Sequence, residues 1–271
     1  MIIILSIFFC ACFIINHERL AKNFNIYDIP DNKRKFHVNK VALTGGVLIF
    51  LNFLLLELFI INNIQNINVV SVFRNEHDFF IFSISLISIF LLGIFDDKYE
   101  IPANLKFIFM ILIAFITVVF SEDLLIKKID ISFLSNVYEL STIYSVFWTV
   151  TCFLLFLNAL NMFDGINYQI AIYSIFISVF FLLNNYFVIL FLLLLISLIF
   201  FTYLNHKNKA FLGDSGSYLL AFLFSYFFIK FYNQTGSIST DQIVLFMLIP
   251  GLDLMRLFVL RIYNRKSPFF P

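Results

Sequence analysis

Tyr186-Phe-Val-Ile-Leu-Phe-Leu-Leu-Leu-Leu-Ile-Ser-Leu-Ile-Phe-Phe-Thr-Tyr-Leu204 carries no charged side chain from end to end. A helix of that length matches the roughly 30 Å hydrocarbon core of a bilayer. No water is present there to hydrogen-bond an open backbone, so an apolar run this long is expected to be helical. Similar runs recur at 1–16, 41–62, 78–95, 104–121, 141–157, 169–183, 216–232 and 242–260. The chain therefore reads as all-α, a polytopic transmembrane helix bundle of about nine spans. Only Asn184-Asn185 divides the run at 169–183 from the one at 186–204. No Pro/Gly/Ser-rich linker and no internal repeat breaks the 271 residues, which read as one membrane domain over 1–271.

Composition agrees. Hydrophobic residues make up 61% of the chain and charged residues 13%, and the mean hydropathy is +0.95. Soluble domains are closer to a quarter charged, so this chain lacks the polar surface to cover a globule in water. A net charge of +1 gives no global basic field for nucleic acid. Cys10, Cys12 and Cys152 lie inside apolar runs without metal-ligand spacing. Met1 to Asn16 lacks the basic start and small-residue cleavage site of a secretory signal, and is expected to be a retained first span.

The Lys and Arg residues orient the spans. Fourteen of the 18 fall in the odd-numbered connections and the C-terminal segment. Arg74, Lys127, Lys128 and Lys230 fall on the other side. That asymmetry predicts an N-terminus outside and the basic loops in the cytoplasm.

Four polar clusters sit in the loops placed on the cytoplasmic side. The first runs from Asp28 through Lys33, Arg34, Lys35 and His37 to Gly45-Gly46. Its cations suit phosphate oxygens, and its glycines permit close approach at a helix start; a positive-inside anchor explains the same residues. The second is Gly93-Ile-Phe-Asp96-Asp97, whose adjacent carboxylates repel unless a cation or a basic group is near. A divalent metal site, a general base, a nucleophile and an ordinary helix-terminal acidic pair all fit it. The third is Asn158-Ala-Leu-Asn161-Met-Phe-Asp164-Gly165-Ile-Asn167, which repeats polar groups at helical spacing; inter-helix hydrogen bonding is its alternative reading. The fourth is Phe211-Leu-Gly213-Asp214-Ser215-Gly216-Ser217. It suits a phosphate at a helix N-terminus with a bridging Mg²⁺ on Asp214, and it equally suits a plain N-cap. Together the clusters supply the groups for a Mg²⁺-assisted phosphoryl-type transfer.

The order RKxH…GG, GxxDD, NxxNMxDGxN and FxGDxGS resembles the polyprenyl-phosphate N-acetylhexosamine-1-phosphate transferases, from Asp28 to Pro271. The resemblance implies a helical bundle with a cytoplasmic cleft in the inner (plasma) membrane. It implies transfer of a HexNAc-1-phosphate from a UDP-sugar to undecaprenyl or another polyprenyl phosphate, with release of UMP. By resemblance, Asp96, Asp97 and Asp164 are the catalytic positions, and Asp214 with Asp97 the metal positions. Lys35, His37, Gly45, Gly46, Lys106, Asn161, Asn167, Ser215 and Ser217 are the matching substrate-binding positions, with Asn167 at the uracil. The cofactor implied is Mg²⁺, with Mn²⁺ as its substitute. The partners are the UDP-sugar donor, the polyprenyl phosphate acceptor and membrane lipids, with a homodimer allowed and no nucleic acid. The tract Ser267-Pro-Phe-Phe-Pro271 resembles the GlcNAc-1-phosphate branch.

Two departures stand out. The family continues DGxN with Gly-Leu, where this chain has Tyr168-Gln169. Its C-terminal His motif has no counterpart before Pro271, so a shortened relative acting as a lipid-binding or scaffold protein is the alternative expectation. A transporter is weaker, because the spans carry few ionisable residues, Glu57 and Asp253 being the exceptions.

Overall fold

Helices account for 77% of the described residues in the computed structural model, which describes residues 1–30, 39–62, 73, 75–134 and 136–265. The helices are α1 (Ile2–Phe24), α2 (Gly45–Asn62), α3 (Glu76–Tyr99), α4 (Ala103–Phe120) and α5 (Thr142–Phe163). They continue with α6 (Gln169–Leu183), α7 (Val188–His206), α8 (Gly213–Thr235), α9 (Thr240–Phe246) and α10 (Leu248–Tyr263). Two short antiparallel pairs, β1 (Tyr27–Asp28) with β2 (Val41–Ala42) and β3 (Lys128–Ile129) with β4 (Tyr138–Glu139), are the named strands. Each apolar run read from the sequence holds a helix. The last holds two, α9 and α10, bent by 67° at Met247, with Pro250 in the first turn of α10 where its missing N–H is tolerated.

Among the described residues, five helices, α1, α3, α4, α5 and α7, are long and apolar enough to cross a membrane, and the bent α9–α10 pair makes a sixth if it is one span. The chain is a multi-pass membrane protein. Two further apolar helices, Gly45–Ile61 and Gln169–Leu183, are shorter. Helix α8 is long but carries Asp214, Lys230 and several hydroxyls. It is nevertheless buried without interruption from Ser215 to Phe231. Protein rather than lipid surrounds that stretch, which is why polar groups are tolerated in it.

The elements form two compact units that alternate along the chain. The first comprises residues 1–72, 90–100 and 164–219. In it α7 packs against α1, α2 and α6, and Asn52 of α2 donates to the Leu193 carbonyl of α7 at 3.0 Å. Ala42 bridges to Ala210, and the Gly45 and Gly46 amides donate to the carbonyls of Phe211 and Leu212, each at 3.0 Å. Backbones approach closely here. A methyl group built on Gly46 would lie 2.6 Å from the Gly216 Cα, and one on Gly93 2.6 Å from the Ser215 backbone nitrogen. The start of α8 thus fits against α2 and α3 only because both present glycine.

The second unit comprises residues 73–89, 101–163 and 220–271. Helix α5 packs against α4 and α10, and Thr117 of α4 donates to Ser85 of α3 at 2.8 Å. A buried ion pair joins Lys230 of α8 to Asp78 of α3, and Ser121 donates to the second oxygen of Asp78. The ammonium lies 4.7 Å from the Phe73 ring centroid. The sequence reading counted Lys230, near the end of the 216–232 run, among the charges on the outer side, yet its side chain is fully enclosed. A lone lysine near the end of an aromatic run looks like a boundary residue, whereas its partner lies 152 positions away.

Removing one member leaves an uncompensated buried charge, which costs about 3–5 kcal/mol. Lys230→Ala should therefore melt well below wild type in detergent. Asp78→Leu combined with Lys230→Met should restore most of the loss. A double variant no more stable than Lys230→Ala would show that the pair is not balanced in this way.

Candidate active site

An α-helix leaves its first amides without intrahelical partners, and its N-terminus favours negative charge. At α8 both needs are met by a residue from another helix. Asp97, near the C-terminal end of α3, accepts the Asp214 N–H on Oδ1 at 2.7 Å and the Ser215 N–H on Oδ2 at 3.1 Å. The close approach of Gly93 to Ser215 sets α3 near enough for this. One turn into α8, the Tyr218 hydroxyl donates to Asp96 Oδ2 at 3.0 Å, and Asp96 is buried. The paired aspartates therefore have separate environments: Asp97 holds the start of α8, and Asp96 is held by its second turn.

Asp164 lies in the turn between α5 and α6 and is half-buried. Burial first, then the negative charge of Asp97, pushes its carboxyl up to about 7. The turn is fastened to the end of α7. The Tyr168 N–H donates to Asn205 Oδ1 at 3.0 Å, and the Tyr168 hydroxyl bonds to His206 Nδ1. Asn167 donates to Asn208 Oδ1 at 2.7 Å. The buried Asn205 amide also donates to the Ala210 carbonyl at 3.1 Å, in the short segment that enters α8.

The structure thus brings Asp96, Asp97, Asp164, Asn167 and Asp214 into the first unit. Gly45 and Gly46 belong to the same unit, but their amides are engaged by carbonyls, so they serve helix packing and offer no free N–H groups to a phosphate. Ser215 and Ser217 are fully buried, and Ser217 donates to the Asp214 carbonyl at 3.2 Å. Their side chains face protein, where the sequence reading had them at a ligand. Asn161, on the last turn of α5, and Lys106, on the first turn of α4, belong to the second unit. Lys35 and His37 lie outside the described residues, as does the 267–271 tract. Among the described residues no three His, Cys, Asp or Glu side chains cluster closely enough to hold a metal by themselves.

Sequence reasoning marks Tyr168 only as a departure from the family's glycine, and misses Asn205, His206, Asn208 and Tyr218. The available signal is the polar run Asn205-His-Lys-Asn208-Lys209 just before the FLGDSGS motif. In the sequence, its lysines read only as orienting charges.

The chain is thus a largely helical, multi-pass membrane protein with carboxylates gathered at the N-terminus of one helix. The sequence profile of glycosyl transferase family 4 matches residues 79–232, more than half of the chain, and the chain belongs to that family. The undecaprenyl-phosphate alpha-N-acetylglucosaminyl 1-phosphate transferase of Thermotoga maritima is 29% identical over 252 residues, covering 93% of this chain and 71% of the relative. The probable undecaprenyl-phosphate N-acetylglucosaminyl 1-phosphate transferase of Bacillus subtilis is 27% identical over 260 residues, covering 92% and 68%.

The raised carboxyl of Asp164 has a consequence for stability. An unfolded aspartate titrates near pH ~3.9, and the folded value is about 7. The unfolded chain therefore releases this proton first, and folding loses stability as pH rises from about 4 towards 7, with the full cost present above that. With EDTA present, Asp164→Asn should melt higher than wild type at pH 8, by about 2–4 °C per kcal/mol relieved. The gain should shrink as pH falls towards 5. An equal or lower melting temperature at pH 8 would contradict the assignment.

Proposed function

We propose that this chain transfers an N-acetylhexosamine-1-phosphate, with GlcNAc-1-phosphate the leading choice, from a UDP-sugar to undecaprenyl or another polyprenyl phosphate. UMP is released, and a cell-envelope polysaccharide is begun. The observation that carries this reading is the juxtaposition of Asp97, Asp164 and the α8 N-terminus in a member of glycosyl transferase family 4. The printed activities of the two relatives point to the same sugar and lipid.

The reaction is attack of a lipid phosphate oxygen on the β-phosphorus of the donor, with UMP leaving. Between reactants this highly charged, the protein's tasks are to position them and to offset charge. Asp214 and Asp97 are proposed to hold Mg²⁺, or Mn²⁺ in its place. Mg²⁺ is ordinarily bound by one or two carboxylates together with substrate phosphates and waters, so a three-ligand protein cluster is not required. The opposed ionisation of Asp164 supports the fit, since a nearby dication would ease it. When bound, the ion supplies neutralisation of the diphosphate.

The remaining roles fall to the chain's own groups. Asp97 is fixed by two amides and keeps α8 in place beneath the donor. Asp164, with its carboxyl near neutrality, is suited to take the proton of the acceptor phosphate, with Asp96 beside Tyr218 as the second candidate. Asn167 is proposed to face the uracil, Asn161 to line the site, and Lys35, His37 and Lys106 to meet phosphates. The proposed setting is a single transferase domain of about nine spans in the plasma membrane. Its N-terminus would lie outside and its active-site loops in the cytoplasm, an orientation that rests on the Lys and Arg distribution.

The test is UMP release by detergent-solubilised protein supplied with UDP-GlcNAc, undecaprenyl phosphate and Mg²⁺. Turnover should vanish with EDTA and return with Mg²⁺. Asp97→Asn and Asp164→Asn should each lower kcat about 100-fold or more. No UMP from any UDP-N-acetylhexosamine would sink the proposal.

A further inference from the structure

Tyr168 begins α6 with φ 70° and ψ −21°. The left-handed region disfavours a side chain with a Cβ, and a bulky residue there is uncommon. Such a conformation persists only where its surroundings hold it, and it tends to mark a functional site. Two contacts hold this one. The backbone N–H donates to the buried Asn205 at 3.0 Å, and the phenol bonds to His206 Nδ1 with ring centroids 5.9 Å apart. Both partners stand on the last turn of α7.

The residues so fastened are those the proposed reaction uses. Tyr168 ends the turn that carries Asp164 and Asn167. Asn205 also grips the Ala210 carbonyl at 3.1 Å. The next residue, Phe211, is bonded on both sides to the segment entering α2, through the Ala42 carbonyl and the Gly45 amide. The turn is thereby referenced to the segment that leads into α8. We propose that Tyr168 is a positioning residue for the donor: its phenol, latched to His206, holds a strained backbone that keeps Asn167 and Asp164 in register with the α8 N-terminus. This rests on the transferase reading for the identity of the ligand and on geometry alone for the latch.

Three proteins separate the latch from a merely structural role. Tyr168→Phe keeps the strain and loses the phenol bond. Tyr168→Gly loses both, because glycine adopts φ 70° without strain. In Tyr168→Phe the KM for the UDP-sugar should rise about fivefold, the worth of one hydrogen bond, with kcat within about twofold. Tyr168→Gly should recover most of that loss. Hydrogen exchange of the 164–172 amides, measured without substrate, should quicken in Tyr168→Phe and return towards wild type in Tyr168→Gly.

Unchanged exchange in Tyr168→Phe overturns the latch whatever the activity. Quickened exchange with an unchanged donor KM overturns its role in donor binding. If wild type releases no UMP from any donor while exchange behaves as expected, the transferase reading fails and the latch stands.

Discussion

The carboxylate of Asp97 lies across the first amides of α8, and much of the site follows from that contact. Buried amides without acceptors are costly where water is scarce, and the helix N-terminus adds a preference for negative charge. One side chain from α3 meets both demands, with an N–H of Asp214 on one oxygen and of Ser215 on the other. Its short side chain reaches only if the two helices nearly touch. Gly93 permits that, since a methyl group on it would overlap α8 backbone. Capping and close packing are thus one requirement, and Asp214 is placed beside Asp97 as its result.

The same two helices are joined a second time, in the other unit. Asp97 near the end of α3 meets the start of α8, while Asp78 near the start of α3 meets Lys230 towards the end of α8. Each contact fastens α3 to α8 within its own unit. A buried ion pair adds little net stability over a well-packed apolar pair, but it penalises every arrangement that separates its members. Within the second unit, whose other contacts are mostly interchangeable aliphatic and Phe surfaces, this pair defines the register of that part of α3 on α8.

Helix positions were legible in the sequence because the bilayer demands long apolar runs, and every such run holds a helix. The breaks were legible where the backbone itself changes, as at Asn184-Asn185 and near Pro250. The acidic motifs were legible as a set because carboxylates are scarce in so apolar a chain. What escaped was pairing between distant positions. Lys230 looked like a boundary residue until Asp78 was placed beside it. Ser215 and Ser217 looked like ligand groups, yet burial turns them inward. Gly45-Gly46 looked like a phosphate cradle because glycine spacing shows that something approaches closely without saying what does. Here it is the backbone of α8 and of the segment before it. The departure at Tyr168 was visible as a difference from the family's glycine, but its meaning needed φ: the position is left-handed, and a tyrosine there must be held.

The Asp164–Tyr168 turn concentrates the local costs of the fold. At one end a carboxyl is buried against the charge of Asp97 and titrates near 7. At the other a tyrosine occupies a backbone region suited to glycine. Neither feature favours folding, and either would disappear with a single substitution. Both are tolerated because Asn205 ties the turn to the segment entering α8, so the turn cannot relax without disturbing the helix that Asp97 caps. Proteins commonly hold strain and mutual repulsion at sites that act on ligands. Under the proposed function, the positive charge of a cation at Asp97 and Asp214 would offset the repulsion between carboxylates that the fold itself holds close together.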